Sequence, residues 1–284
     1  MRYDVAALRG RLSHVGLLRS NALAEKTWTS YRKETAMFLD WLGTCDPQPS
    51  CAESLDLFVV RYCEIRYDDD PRRGCRQSCV NSMCGLEFIC AELSGSLRHT
   101  RQALRGWSRL VPARSPPPLS ADLVMSLSGY FYGTQRPMHA LAMQLAFACY
   151  LRAGELLSLT PGDVCFADDP RLVGYRSLHA GILIRTAKTG TFQFVALQDR
   201  AVVGALEAAV GATSCRAFSE PLFGISYAQL SSALKEALAY FGLDNADFTL
   251  HSLRHGGATR DYLAGTELSD IMVKGRWVSL SSCR

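Results

Sequence analysis

Lysine is almost missing from this sequence. Of 31 basic residues only five are Lys (Lys26, Lys33, Lys188, Lys235 and Lys274), and the rest are Arg. The cationic groups are therefore planar, forked guanidiniums, which suit bidentate contact with phosphate or carboxylate better than an ammonium does. A C-x-x-C pair is also absent, although there are 11 Cys. The densest run, Cys75, Cys79, Cys84 and Cys90, has neither zinc-site spacing nor a His pair beside it, so no metal is expected. The odd count and the lack of a secretory signal argue against a disulfide framework and for reduced, mostly buried thiols. Long apolar runs are missing as well. The longest, MHALAMQLAFACYL (138–151), is too short to cross a bilayer and carries His139 and Gln144, so no membrane partner is expected. No internal repeat or low-complexity tract appears.

What remains is an ordinary globular composition, 48% hydrophobic over 284 residues, enough for one large or two moderate domains. The net charge of +4 is unevenly placed. Residues 1–114 carry 17 Lys and Arg against 13 Asp and Glu, whereas residues 115–284 are balanced at 14 each. A polyanion is a natural partner for the first part, although charge balance alone is weak evidence.

The segment VPARSPPPLS (111–120) divides the chain, because consecutive prolines cannot sit inside a helix and favour an extended connector. The organisation expected is an extension over 1–20, a helical domain over 21–111, a linker over 112–120 and a second domain over 121–284. The first twenty residues, with four Arg and one acid, fit an exposed helix better than an organelle transit peptide. TWTSYRKETAMFLDWLG places Trp28, Tyr31, Met37, Phe38 and Trp41 on one helical stripe, which predicts core packing. LDLFVVRYCEIRY and NSMCGLEFICAELSG predict two further helices around the polar DDDPRRG. Ser120 is a good N-cap for the next helix. MHALAMQLAFACYLRAGELLSL predicts one long apolar helix interrupted by Arg152 and Glu155. GILIRTA and TFQFVAL predict a hairpin around KTG, with Lys188 opening its turn. Helices are expected at 200–210, 226–241 and 252–264. The fold class expected is mainly α with a small β-sheet.

Four features ask for more than packing. Arg152 must find a partner or face a pocket, since an unpaired buried charge is very costly, and Glu155 three residues on is the plain partner. Lys188 is unremarkable alone. His251 and Arg254 share one helical face beside Gly256 and Gly257, which permit close backbone approach. Trp277 follows Gly275 and Arg276. Together they offer many cationic and neutral donors to a phosphate whose charge grows in a transition state.

This order of boxes resembles the catalytic domain of the tyrosine recombinases (phage integrases and relatives). YLRAGELLSLTPGDV is similar to the family's first-arginine box, ILIRTAKTGTFQFVAL to its lysine hairpin, LHSLRHGGAT to its His-x-x-Arg box and GRWVS to its His/Trp box. The helices before the linker are similar, less specifically, to the family's DNA-binding core-binding domain. The resemblance implies a protein that breaks and rejoins double-stranded DNA through a 3′-phosphotyrosyl intermediate, with no cofactor and no metal. It implies that Arg152 and Arg254 clamp the non-bridging oxygens and Lys188 protonates the departing 5′-oxygen. His251 then serves proton transfer and phosphate contact, Trp277 donates its indole N–H, and Glu155 orients. The family's nucleophilic Tyr follows the Trp at a spacing that passes Arg284. The chain therefore reads as cut short before its nucleophile, and Tyr262 reads as a packing residue. Expected partners are double-stranded DNA and, with a complete C-terminus, further copies of the chain as a tetramer. The expected setting is intracellular with access to DNA: the nucleus in a eukaryote, the cytoplasm in a bacterium. The rival readings are a non-catalytic DNA-binding protein derived from a recombinase, a type IB topoisomerase-like enzyme and a helical scaffold with no nucleic-acid role.

Overall fold

A computed structural model describes residues 3–112, 115–172, 179–187, 190–212 and 220–283. The chain forms two compact units, Met1–Arg114 and Ser115–Arg284. It is mainly helical with one small antiparallel sheet, as the periodicities predict.

The first unit runs α1 (Val5–Ser13), α2 (Leu17–Ser20), α3 (Glu25–Leu42), α4 (Ala52–Asp69), α5 (Arg73–Ile89) and α6 (Arg98–Leu110). Its core gathers Phe38, Leu39 and Leu42 of α3, Leu55, Val59 and Tyr62 of α4, Leu86 of α5 and Trp107 of α6. Each such side chain contributes about 1.5–3 kcal/mol by leaving water. The aromatic stripe on α3 packs as predicted at Trp28, which meets Phe88 at 5.2 Å, and at Phe38, which meets Tyr62 at 5.4 Å. Met37 departs from it and is exposed.

Residues 1–20 do not stand apart as an extension. Asp4 caps α1 by accepting from Ala7 N at 2.8 Å, Leu8 is fully buried in the same core, and Arg11 pairs with Glu92 at 2.6 Å. The tethers lie tens of residues away in sequence, which is why composition alone missed them.

α6 was not anticipated either, and its start explains why. Asp56, buried on α4, accepts from His99 N at 2.8 Å, Thr100 N at 2.9 Å and the Thr100 hydroxyl at 2.6 Å. A carboxylate borrowed from another helix thus satisfies the open N–H groups of the first turn. Asp56→Ala is expected to lower the stability of this unit by about 2–3 kcal/mol, because it strips the cap and leaves the buried Thr100 hydroxyl only its longer 3.3 Å bond to Asp56 O. Urea denaturation followed by circular dichroism checks this, and an unchanged midpoint would refute the cap's role.

The second unit begins inside the segment read as a linker. Leu119 is buried, and its N–H donates to Ser252 O at 3.1 Å. Ser120 then caps α7 (Ala121–Gly133) through Leu123 N at 3.2 Å, as predicted. α8 (Pro137–Ala148), apolar except at the partly buried His139 and Gln144, packs most of its residues into the core. The long helix predicted to continue through Arg152 does not form. α8 stops at Ala148, Tyr150 takes a left-handed conformation at φ +49°, and Leu151 N closes back onto Ala146 O at 3.1 Å. This is the usual way a helix ends, with a residue other than the favoured Gly in the left-handed position. A short α9 (Ala153–Leu157) follows.

Three strands, β1 (Val164–Phe166), β2 (Ala180–Ala187) and β3 (Gly190–Leu197), pair antiparallel in sequence order. The β2–β3 hairpin was predicted, and β1, three residues registered Val164↔Ile182, was too short to read. Then come α10 (Arg200–Ala212), α11 (Tyr227–Tyr240), α12 (Leu250–Leu263), α13 (Leu268–Gly275) and α14 (Leu280–Cys283). Gly256 and Gly257 let α12 lie directly on the chain. A Cβ on the first would stand 2.0 Å from Leu119 O, and on the second 2.0 Å from Phe147 O. That contact brings the second half of the unit onto the break after α8. Among the described residues no helix is long and apolar enough to cross a membrane.

Candidate active site

The break between α8 and α9 is the centre of the site. Arg152 stands at the N-cap of α9, outside any helix, with its side chain about one-quarter exposed. The shared helical face predicted for Arg152 and Glu155 is therefore replaced by a cap, but the pairing itself forms. Glu155 accepts from Arg152 N at 2.9 Å and from its guanidinium at 2.5 Å. The carboxylate is buried at 5% exposure and would be untenable there without compensation.

α12 delivers the next two groups. Thr249 caps it, accepting from His251 N at 3.2 Å. His251 lies exposed on the first turn, and Arg254 lies one turn deeper at 1% exposure. Arg254 donates through one terminal nitrogen to Tyr150 O and through the other to Gly275 O. Its guanidinium lies 4.4 Å from the Trp277 ring centroid, a cation–π contact out of water. Trp277 in turn rests on Gly275, where a Cβ would come within 1.9 Å of the indole.

One member escaped the sequence. Arg276 sits between two noted residues, yet spacing assigned it no role. It follows α13 in the left-handed region at φ +56°, which turns the side chain inward to 4% exposure. There it donates to Glu155 Oε2 at 2.7 Å and to Tyr150 O at 3.2 Å. Glu155 thus bridges Arg152 and Arg276, and Tyr150 O bridges Arg254 and Arg276. The available signal was an Arg wedged between Gly and Trp, but only the backbone turn shows which way it points. Lys188, predicted at the hairpin turn, lies outside the described residues, although the strands flanking it pair up to Ala187↔Gly190. Tyr262 is not a packing residue: it is 61% exposed.

Three guanidiniums against one carboxylate leave the site positive. Burial, with the charges of Arg152 and Arg276, pushes Arg254 down to about 9, still protonated at neutral pH. Glu155 is pushed up by burial, but the Arg152 backbone hydrogen bond and the charge of Arg276 outweigh this and hold it below the usual carboxylate range. Partial desolvation, the neighbouring His255 ring at 4.4 Å, and the charges of Arg254 and Arg152 push His251 down to about 4. Its neutral form is therefore the resident one, and protonation in the folded state is disfavoured between the ordinary value near 6.5 and about 4. His251 is expected not to titrate between about pH 5 and pH 7 in the free protein, and to take up a proton there when an anion offsets the cations. The imidazole proton resonances with and without inorganic phosphate check this. A free-protein midpoint near 6.5 would refute it. Among the described residues, no group of His, Cys, Asp or Glu is arranged to hold a metal ion.

No protein-family model matches the sequence, and comparison with curated proteins gives no match. Solved structures do match over nearly the whole chain. The Tn1549 transposon integrase in complex with circular intermediate DNA superposes with a TM-score of 0.66 at 14% identity, over 99% of this chain and 94% of that one. The XerH site-specific recombinase bound to a palindromic difH substrate gives 0.65 at 14%, over 90% and 74%. The λ integrase dimer bound to a COC′ core site gives 0.62 at 16%, over 97% and 74%. The fold is that of the tyrosine recombinases. Identities this low speak for architecture, and in this fold the arginine, His-x-x-Arg and Trp boxes, far apart in sequence, come together at the break after α8.

Proposed function

We propose that this chain is a DNA-binding protein of the site-specific recombinase type, whose second unit grips a DNA phosphate between Arg152, His251 and Trp277 over a floor of Arg254 and Arg276. The observation that carries this reading is the convergence of the arginine, His-x-x-Arg and Trp boxes on a single positive pocket around Tyr150 O. In that role Arg152 and Arg254 neutralise the non-bridging oxygens. Trp277 supplies its indole N–H, and Glu155 holds two guanidiniums at fixed separation. Neutral His251 can accept or relay a proton, and Lys188 belongs to the leaving 5′-oxygen. A Tyr hydroxyl attacking the phosphorus gives a 3′-phosphotyrosyl link and a free 5′-hydroxyl, so bond energy is kept and neither metal nor nucleotide is required.

The first unit supports the same partner. Arg98, Arg105 and Arg109 lie exposed along α6, spaced by seven and four residues, or about 10 Å and 6 Å of helix rise. With Arg101, Gln102 and Gly106 they line a shallow groove. A labelled duplex of random sequence is expected to bind with an affinity that falls steeply as salt rises. Replacing Arg98, Arg105 and Arg109 together by Ala is expected to reduce the slope by about 3. Affinity independent of salt would refute a DNA partner. For the chemistry, which needs the family's Tyr after Trp277, a chain extended to carry that Tyr is incubated with nicked duplexes of randomised sequence and examined on a denaturing gel. A covalent band lost in Arg254→Ala supports strand transfer. Salt-dependent binding without a band supports the second reading, a phosphate pocket kept for binding alone, which the deep burial of Arg254 also suits.

A further inference from the structure

Tyr150 occupies the left-handed position that ends α8, where Gly would sit without strain. Its carbonyl nevertheless carries the site, accepting from Arg254 and, at 3.2 Å, from Arg276. The side chain is fully buried and is tied down at its far end: the hydroxyl donates to Asp261 Oδ2. Asp261 is itself fixed, accepting from Lys274 Nζ at 2.7 Å and from Arg260 Nε at 2.7 Å. Lys274 Nζ also stands 4.4 Å from the Tyr150 ring centroid, clamping the ring from one side. Burial and the Asp261 carboxylate push the phenol above its ordinary value, so it stays a proton donor throughout the working pH range.

The geometry points to Tyr150 as a positioning residue: its anchored ring fixes the peptide whose carbonyl aims the two buried guanidiniums, and the Asp261–Lys274 pair on α12 and α13 is the anchor. This rests on the phosphate-pocket reading of the site. A Gly in its place would adopt the same backbone but leave the peptide free to rotate. A Tyr held at both ends pays the conformational strain and removes that freedom. The anchor also explains Lys274 and Asp261, neither of which the phosphate chemistry uses. It ties the turn carrying Arg276 and Trp277 to the same peptide, so that the arginine box and the Trp box keep one spacing.

The test uses the whole protein with 15N-labelled arginine, comparing wild type, Tyr150→Phe and Asp261→Asn. Guanidinium Nε–H resonances of Arg254 and Arg276 are recorded alongside thermal stability and the affinity for inorganic phosphate. Tyr150→Phe keeps the ring and loses only the anchor. It is expected to shift or broaden both resonances and to weaken phosphate binding roughly tenfold, as loss of one charge-assisted hydrogen bond allows. Asp261→Asn keeps an acceptor for the hydroxyl and is expected to fall between the two. Lowered stability with both resonances and phosphate affinity unchanged in Tyr150→Phe would overturn the proposal and leave Tyr150 as packing only. If Tyr150→Phe does not fold, unchanged resonances in Asp261→Asn decide against the proposal in the same way. Failure of wild type to bind phosphate, with the resonances still disturbed by Tyr150→Phe, would defeat the phosphate reading and leave the positioning role standing.

Discussion

In a chain extended to carry the family's nucleophilic Tyr, Arg254→Ala is expected to abolish the covalent DNA adduct and to lower transition-state stabilisation by about 3–4 kcal/mol, the usual loss when one preorganised donor is removed. Its cost in stability is smaller, about 2 kcal/mol, because two opposing effects meet. Truncation takes the Arg254 donor from Gly275 O, leaves Tyr150 O with Arg276 alone and removes the cation over Trp277, which destabilises. It also relieves the mutual repulsion of three guanidiniums, the repulsion that together with burial pushes Arg254 down to about 9. An anion in the pocket supplies the same relief without the loss, so phosphate is expected to raise the melting temperature of wild type and not of the variant. Arg254→Lys keeps the charge but lacks the fork that reaches two carbonyls at once, and is expected to lose nearly as much activity as Arg254→Ala. Adduct formation is read on denaturing gels and stability by thermal melts. Adduct yield in the extended Arg254→Ala chain equal to that of its extended parent would end the assignment of this residue to the phosphate.

Which parts of the molecule were legible from the sequence follows from how far apart in the chain the decisive partners lie. α3, the β2–β3 hairpin and α12 show their periodicity within a dozen residues, and the Ser120 cap is a contact over three residues. The end of α8 is different. Nothing between Met138 and Leu159 is a helix breaker in composition except one Gly, and the break arises where Gly257, a hundred residues on, presses on Phe147 O. α6 is capped by an Asp 43 residues earlier. The site shows the same division. Arg152, Glu155, His251, Arg254 and Trp277 were legible through their order along the chain, since each alone also fits an ordinary packing or surface role. Arg276 was not, since an Arg beside a Trp is ordinary until its backbone turns left-handed and carries it to a carboxylate 121 residues away.

That carboxylate is the group whose removal should cost the fold most. Glu155 holds Arg276, itself 4% exposed, at 2.7 Å and Arg152 at 2.5 Å. Taking away one member of a buried pair leaves the other charge desolvated and alone, at a typical cost of 3–5 kcal/mol, which is a large fraction of what a domain has. Glu155→Ala is expected to fall in that range, well beyond the loss from Asp56→Ala, where only hydrogen bonds are given up. Glu155→Gln keeps the shape and one acceptor and is expected to cost about half as much. The pH dependence separates charge from packing. The folded carboxyl lies below its unfolded value near 4.3, so its contribution is complete above that pH and is lost as the pH falls through the folded value. Glu155→Gln should therefore flatten the acid limb of the wild-type stability curve while lowering the plateau at neutral pH. A Glu155→Ala protein within 1 kcal/mol of wild type in urea would mean that Arg276 finds another counter-charge. The bridge between the two arginines would then not be what holds the site together.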